Sequence, residues 1–293
     1  MLSETTQEAT HEAAEAGHQS FDAGESIIGH IVDHKSFEIT HDINPPLPSF
    51  EPFHLGGLEV DLSITKHVVM MWIAGLLILL LGWLAARRRG DAVPSGLRNA
   101  LEVMIRFIRE EVARKSIHGA DADRYVPYLL TTFFFILACN LLGLIPGMAT
   151  ATGNISVTAA LAMMAFIMIQ FAGIRNFGPF KHFANLVPAG LPMWLVPLMF
   201  ALEMLSTFVK PFALCVRLFA NMMAGHVVIL AFISLIFIFG EAYSEPVAWA
   251  TAPVAVAFAL FVHFLELLVA TVQAYIFTML TATFIGMSAH PAH

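Results

Sequence analysis

The chain has 293 residues, 58% of them hydrophobic and only 13% charged, which is about half the charged share of an ordinary soluble domain and excludes that class. Its net charge of -7 comes mostly from acidic residues in the first 60 positions, so there is no basic face for nucleic acid. The two cysteines, Cys139 and Cys215, both lie in apolar segments and suggest neither a disulfide framework nor a metal site.

Residues 1–60 form a polar, acidic, His-rich tail that turns Pro-rich at NPPLPSFEP (44–52), and no apolar run near Met1 marks a cleaved signal peptide. His30 and His34 have the i, i+4 spacing of a helical metal pair, but among scattered histidines they read as solvated. From 61 to 293 the sequence reads as one membrane domain. A first span begins near His67 and runs to Ala86, long enough at about 1.5 Å per residue to cross a core of about 30 Å. Arg87, Arg88 and Arg89 follow, so the positive-inside bias sets this end in the cytoplasm and the tail outside.

In GLRNALEVMIRFIREEVARKS (96–116), Leu97, Leu101, Met104, Ile105, Ile108 and Val112 recur at helical spacing against Arg98, Arg106, Arg109, Glu110 and Lys115. This predicts an amphipathic helix lying on the cytoplasmic membrane surface. A second span (126–146) crosses outward to GLIPG, and a third (155–174) returns, followed by Arg175, Lys181 and His182 on the same cytoplasmic side. From Leu191 to Phe239 the chain is almost continuously apolar, twice the length of a span, which predicts a helix strongly tilted or broken, with Pro211 a place for a bend. GEAYSEP (240–246) is the outer turn, and a last helix (250–287) leads to a cytoplasmic C-terminus. The expected fold is an all-α polytopic membrane protein: about five membrane-embedded helices plus one amphipathic surface helix, the last two long, tilted and antiparallel.

Those last two helices carry Glu203, Lys210, Arg217, Asn221, His226, His263, Glu266 and Gln273. Ionisable groups inside a span are costly and usually face a cavity or a partner. Arginine is the informative one, because it cannot escape the cost by losing its proton. In an antiparallel pair, residues at one depth share a midpoint that falls in the connecting turn. Arg217 with Gln273, and His226 with Glu266, both have midpoints at 245–246, inside GEAYSEP. Two polar layers follow: Arg217 beside Gln273 near mid-membrane, and His226 beside Glu266 about 13 Å nearer the outside. Arg217 and Asn221 share a face, as do Glu266 and Gln273, while His226 points the opposite way from Arg217. A His–Glu pair suits proton exchange near neutral pH, and its plain alternative is an interhelical hydrogen bond worth about 0.6 kcal/mol. Lys210, nearly on the face of Arg217, reads as snorkelling toward a surface.

VRLFANMMAGH (216–226), with Glu203 upstream and ELLVATVQAYIFTML (266–280) downstream, resembles subunit a of the F-type rotary ATP synthases, from about residue 60 to the C-terminus. The resemblance implies that Arg217 faces a rotating ring of c subunits and meets each ring carboxylate as it passes. It implies that Glu203, Asn221, His226, Glu266 and Gln273 line or adjoin two offset proton half-channels, with Asn140 a further channel-lining position. Many bacterial members carry a carboxylate at the position of His226 and a histidine at that of Glu266, so the pair is exchanged here. The implied partners are the c-ring, peripheral stalk b subunits, the soluble ATP synthase head and the lipid bilayer. The implied location is an energy-transducing membrane, the bacterial plasma (inner) membrane.

Without a phosphate-cradling G-x-x-x-x-G-K-[ST] loop, phosphoanhydride chemistry is assigned to the soluble partner, and no cofactor or metal is expected. Two rivals make different demands. A proton-coupled secondary transporter calls for an internal repeat of the spans, and no second copy of the RLF segment is present. A membrane scaffold tied by polar residues leaves the arginine unexplained.

Overall fold

The computed structural model describes residues 53–55, 58–60, 63–87, 96–117, 121–145, 148–184 and 192–289. The acidic tail as far as residue 52, with its histidine pair, and Arg88 and Arg89 lie outside the described residues. A two-stranded antiparallel hairpin, β1 Phe53–Leu55 and β2 Leu58–Val60, precedes the helices and was not anticipated from the sequence.

The helices are α1 Lys66–Arg87, α2 Leu97–Phe107, α3 Ala122–Gly143, α4 Ile155–Phe177, α5 Pro179–Ala184, α6 Val196–Ala242 and α7 Glu245–Ala289. Five of them, α1, α3, α4, α6 and α7, are long and apolar enough to cross a membrane. The chain is an all-α polytopic membrane protein with a small hairpin at its start. Hydroxyls of α7 are accommodated locally: Thr271, Thr278, Thr281 and Thr283 each donate to the carbonyl four residues back, so none of these four is a bare donor in apolar surroundings.

Two expectations need correction, and one open alternative is decided: α6 continues through Pro211 as one unbroken 47-residue helix. The proline removes only the bond to the Thr207 carbonyl, a loss that apolar membrane helices tolerate. The turn between α6 and α7 is not the whole of GEAYSEP but only Tyr243 and Ser244. Gly240 permits this, because a β-carbon there would press on the Ala248 methyl, and Pro246 sits in the first turn of α7, where its missing N–H costs nothing. Finally, α2 runs on into a π-helical stretch, Ile108–Ala113, and a last turn, Arg114–Ser116. Only Ile108 and Val112 of the predicted apolar stripe are buried, whereas Leu97 and Ile105 are exposed.

Among the described residues the chain divides into two compact units. The larger runs up to Met223 and resumes at Leu265. Its core gathers Ile108, Val112, Leu129, Phe133, Ile136, Leu218, Phe277 and Ile285. Buried Ala270, Ala274 and Ala282 give α7 a small-residue face, the usual means of close approach where lipid removes the hydrophobic drive between helices. At Gly286 the approach is closest, since a β-carbon there would overlap the Ser116 carbonyl oxygen. The smaller unit, Ala224–Phe264, is an antiparallel pair in which Phe232 stacks on Phe258 at 5.4 Å.

Candidate functional site

The register of α6 against α7 in the larger unit is set by two contacts. Asn221 Nδ2 donates to Gln273 Oε1 at 2.8 Å, and Lys210 Nζ lies 5.4 Å from the centre of the Phe284 ring. Both pairs have their midpoint at position 247, so they record one antiparallel alignment. The expected Arg217–Gln273 layer is therefore displaced by a turn, and the buried Gln273 amide is met by Asn221. Two neutral amides satisfy each other without burying a charge, which a guanidinium in that place would require. Lys210 is half-buried, and its Nζ over the Phe284 ring makes a cation–π contact.

Arg217 itself is exposed on the surface of α6. Among the described residues no carboxylate forms an ion pair with it. Ala213, Val216 and Ala220 beside it are exposed too, and all are small. Toward the N-terminal end of α6, Glu203 is half-buried and its carbonyl accepts from Thr207 Oγ1 at 2.8 Å. Glu203, Lys210 and Arg217 are spaced by seven, so they fall on one stripe of the helix within about 20° per step.

Asn140 is fully buried and ties three elements together. Its Nδ2 donates to the Ala270 carbonyl of α7 at 3.1 Å, and its Oδ1 accepts from Thr152 Oγ1 at 2.7 Å, in the 3-10 turn Ala151–Gly153. One turn before Ala270, the Glu266 side chain is also buried, at 4% exposure. Thr152 was missed in the sequence, because a threonine in a polar turn carries no periodic signal. Thr158 Oγ1 contacts Cys215 Sγ at 3.4 Å, and Phe166 stacks on Phe208 at 5.5 Å, so α4 runs antiparallel to α6 with midpoints at 186–187.

His226 and His263 are half-buried in the smaller unit, where the Phe232–Phe258 stack brings them within one residue of the same level. Glu266 belongs to the larger unit.

The ATP synthase A chain family matches residues 68–286. An ATP synthase subunit a from Chloroherpeton thalassium is 46% identical over 278 residues, 91% of this chain and 77% of the relative. One from Myxococcus xanthus is 49% identical over 237 residues, 80% of this chain and 75% of the relative. One from an Anaeromyxobacter species is 50% identical over 240 residues, 80% of this chain but 57% of that longer relative. With a match over most of its length, on the segments that carry Arg217, Asn221 and Gln273, the chain belongs to the ATP synthase subunit a family.

Proposed function

We propose that this chain is the stator subunit that conducts protons, through two offset half-channels, to and from carboxylates on a ring of c subunits, coupling proton flow to ring rotation and ATP synthesis. The observation that carries the reading is Arg217, a permanent cation exposed on an apolar helix among small side chains. Such a charge is stable in a membrane only against a cavity or an opposite charge. Ala213, Val216 and Ala220 leave room for a partner helix to bring a carboxylate close.

A ring carboxylate faces lipid only when protonated, because exposing its charge there costs several kcal/mol. Beside Arg217 the ionised form is stabilised, so the proton is released there and another must be taken up before the carboxylate moves on. The outer path uses His226 and Glu266, with Asn221, Gln273 and Asn140 adjoining it. The inner path opens toward Glu203. Arg217 stands between them and repels a proton that would pass straight across. A potential of 100 mV supplies about 2.3 kcal/mol per charge, so several protons are collected through rotation for each ATP. Phosphoanhydride chemistry belongs to the soluble head, and the peripheral stalk b subunits hold this chain against it. The chain lies in a bacterial plasma membrane, with its N-terminus outside and its C-terminus in the cytoplasm.

The test is ATP-driven and potential-driven H⁺ flux in vesicles bearing the assembled complex, parent against Arg217→Ala. Coupled pumping is expected to disappear while assembly persists, with passive leak in its place. Intact coupled pumping in the variant would overturn the reading.

A further inference from the structure

At one end of the larger unit lies a polar cluster to which neither half-channel assigns a role. His182, on α5, is half-buried, and its Nε2 is 2.8 Å from Gln170 Oε1 on α4. An amide oxygen only accepts, so Nε2–H is the donor and Nδ1 is the basic atom of the neutral ring. The ring rests directly on Gly173: a β-carbon at that position would overlap both its Nδ1 and its Cε1. The same β-carbon would also meet Ser288 Oγ from α7, so imidazole and hydroxyl share one glycine-floored recess. Ser288 Oγ donates to the Ile169 carbonyl at 2.9 Å, and Asn176 Nδ2 to the Ala289 carbonyl at 3.2 Å, which fixes the recess across α4 and α7.

The helix registers place this recess. With α4–α6 midpoints at 186–187, Gln170 is level with positions 203–204 of α6, the level of Glu203. With α6–α7 midpoints at 247, Ser288 is level with Ser206. Gln170, His182, Ser288 and Glu203 therefore occupy one layer, about 21 Å along α6 from Arg217. His182, Gln170 and Glu203 are all half-buried, neither sealed in the core nor fully in solvent.

We propose that His182, seated on Gly173 and oriented by Gln170, is the proton-exchange group at the inner mouth of the path that begins at Glu203. This rests on the reading of Glu203 as the inner end of the channel. An imidazole takes and gives protons near neutral pH, which suits it to the mouth of such a path. Burial holds the His182 ring below the usual histidine value, which keeps it a ready donor. The charged or titratable groups on the neighbouring stretches of chain are Arg175 on α4, Lys181 on α5, and Glu203 and Lys210 on α6, and Arg175 acts on Tyr125 of α3 together with Asp121 and Arg124. The last two turns of α7, Ala282–Ala289, contribute no charge.

The experiment uses inverted membrane vesicles carrying the assembled complex, so that the bathing medium is the inner side. ATP-driven pumping per assembled complex is measured against the pH of the medium for the parent, His182→Gln, Gln170→Glu and Arg217→Ala. The parent rate is expected to titrate below about pH 6.5. His182→Gln keeps an amide partner for Gln170 but loses that titration, is slowed about tenfold, and recovers when imidazole is added to the medium. Gln170→Glu places a carboxylate on the ring and moves the titration up by about one unit. A parent-like rate and profile in His182→Gln, or an unmoved titration in Gln170→Glu, overturns the proposal. A lower amount of complex with an unchanged rate and profile per complex makes His182 structural and overturns it too. Arg217→Ala separates the two layers of inference: if it abolishes coupled pumping while His182→Gln is parent-like, only the relay fails. If it pumps normally, the underlying channel reading fails.

Discussion

Arg217 and Asn221 are one turn apart, and their different surroundings follow from one difference in chemistry. Asn221 can be paired neutrally and turns to Gln273, whereas Arg217 remains exposed. The sequence revealed both residues and their shared face, but a register counted from the middle of a polar stretch is good only to about a turn, and which side chain meets Gln273 was decided by the price of burying a charge. In a double-mutant cycle of Asn221→Ala and Gln273→Ala, followed by thermal dissociation of the detergent-solubilised complex, the coupling is expected near 0.6 kcal/mol and no higher than about 1.7 kcal/mol. A coupling near zero would mean that the amide pair does not bind the helices. His182 carries a pH prediction of its own. Because burial lowers its folded-state value, the unfolded chain binds more protons below about pH 6.5, so stability rises with pH through that window. The contribution is complete above about 6.5 and is lost as pH falls further. Melting curves of parent and His182→Gln complexes should converge in slope above pH 7 and diverge on acidification, the parent losing more.

At the scale of elements, the surface helix departs furthest from expectation. A 3.6-residue period makes Ile108 and Val112 neighbours but turns Ala113 away. The wider i→i+5 turn of the π segment brings all three inward, and all three are fully buried. Such a widening has no signature in composition, so only the existence and extent of the helix were legible. Its outer side is knit by Arg114 with Glu110 at 2.8 Å and with Asp123 at 3.2 Å, and by Lys115 with Glu111. The carboxylates hold the Arg114 and Lys115 charges more firmly than usual, the side-chain bonds to Glu110 and Glu111 contributing most. These pairs are solvent-exposed and add little to stability. The firm attachment is at Gly286, where α7 touches the Ser116 backbone. A carbonyl cannot rotate aside as a side chain can, so Gly286→Ala must move one element bodily, at about 1–3 kcal/mol. Limited proteolysis should then cut within 96–117 faster than in the parent, and an unchanged cleavage rate would show that the contact is slack.

A prediction for the side on which each terminus lies follows from parity. α1, α3 and α4 are each of single-span length, 22, 22 and 23 residues. α6 and α7 are joined by a two-residue turn, and a continuous helix cannot reverse within the bilayer. Together they add either two crossings or none. If α1, α3 and α4 each cross once, the total is odd in both cases, and the termini are expected on opposite sides. The positive-inside bias, read from the arginines after the first span and from Arg175 and Lys181 after the third, predicts that this side is the cytoplasmic one. The native thiols give a quiet background for a test, since Cys139 and Cys215 are both buried. With a membrane-impermeant maleimide, Ser3→Cys should label in right-side-out vesicles and Ala292→Cys only in inverted ones. Labelling of both from one side would break the parity argument and require that one of α1, α3 and α4 does not cross. Labelling on opposite sides but in the reverse sense would keep the fold and invert the channel, making the recess of His182 the outer mouth.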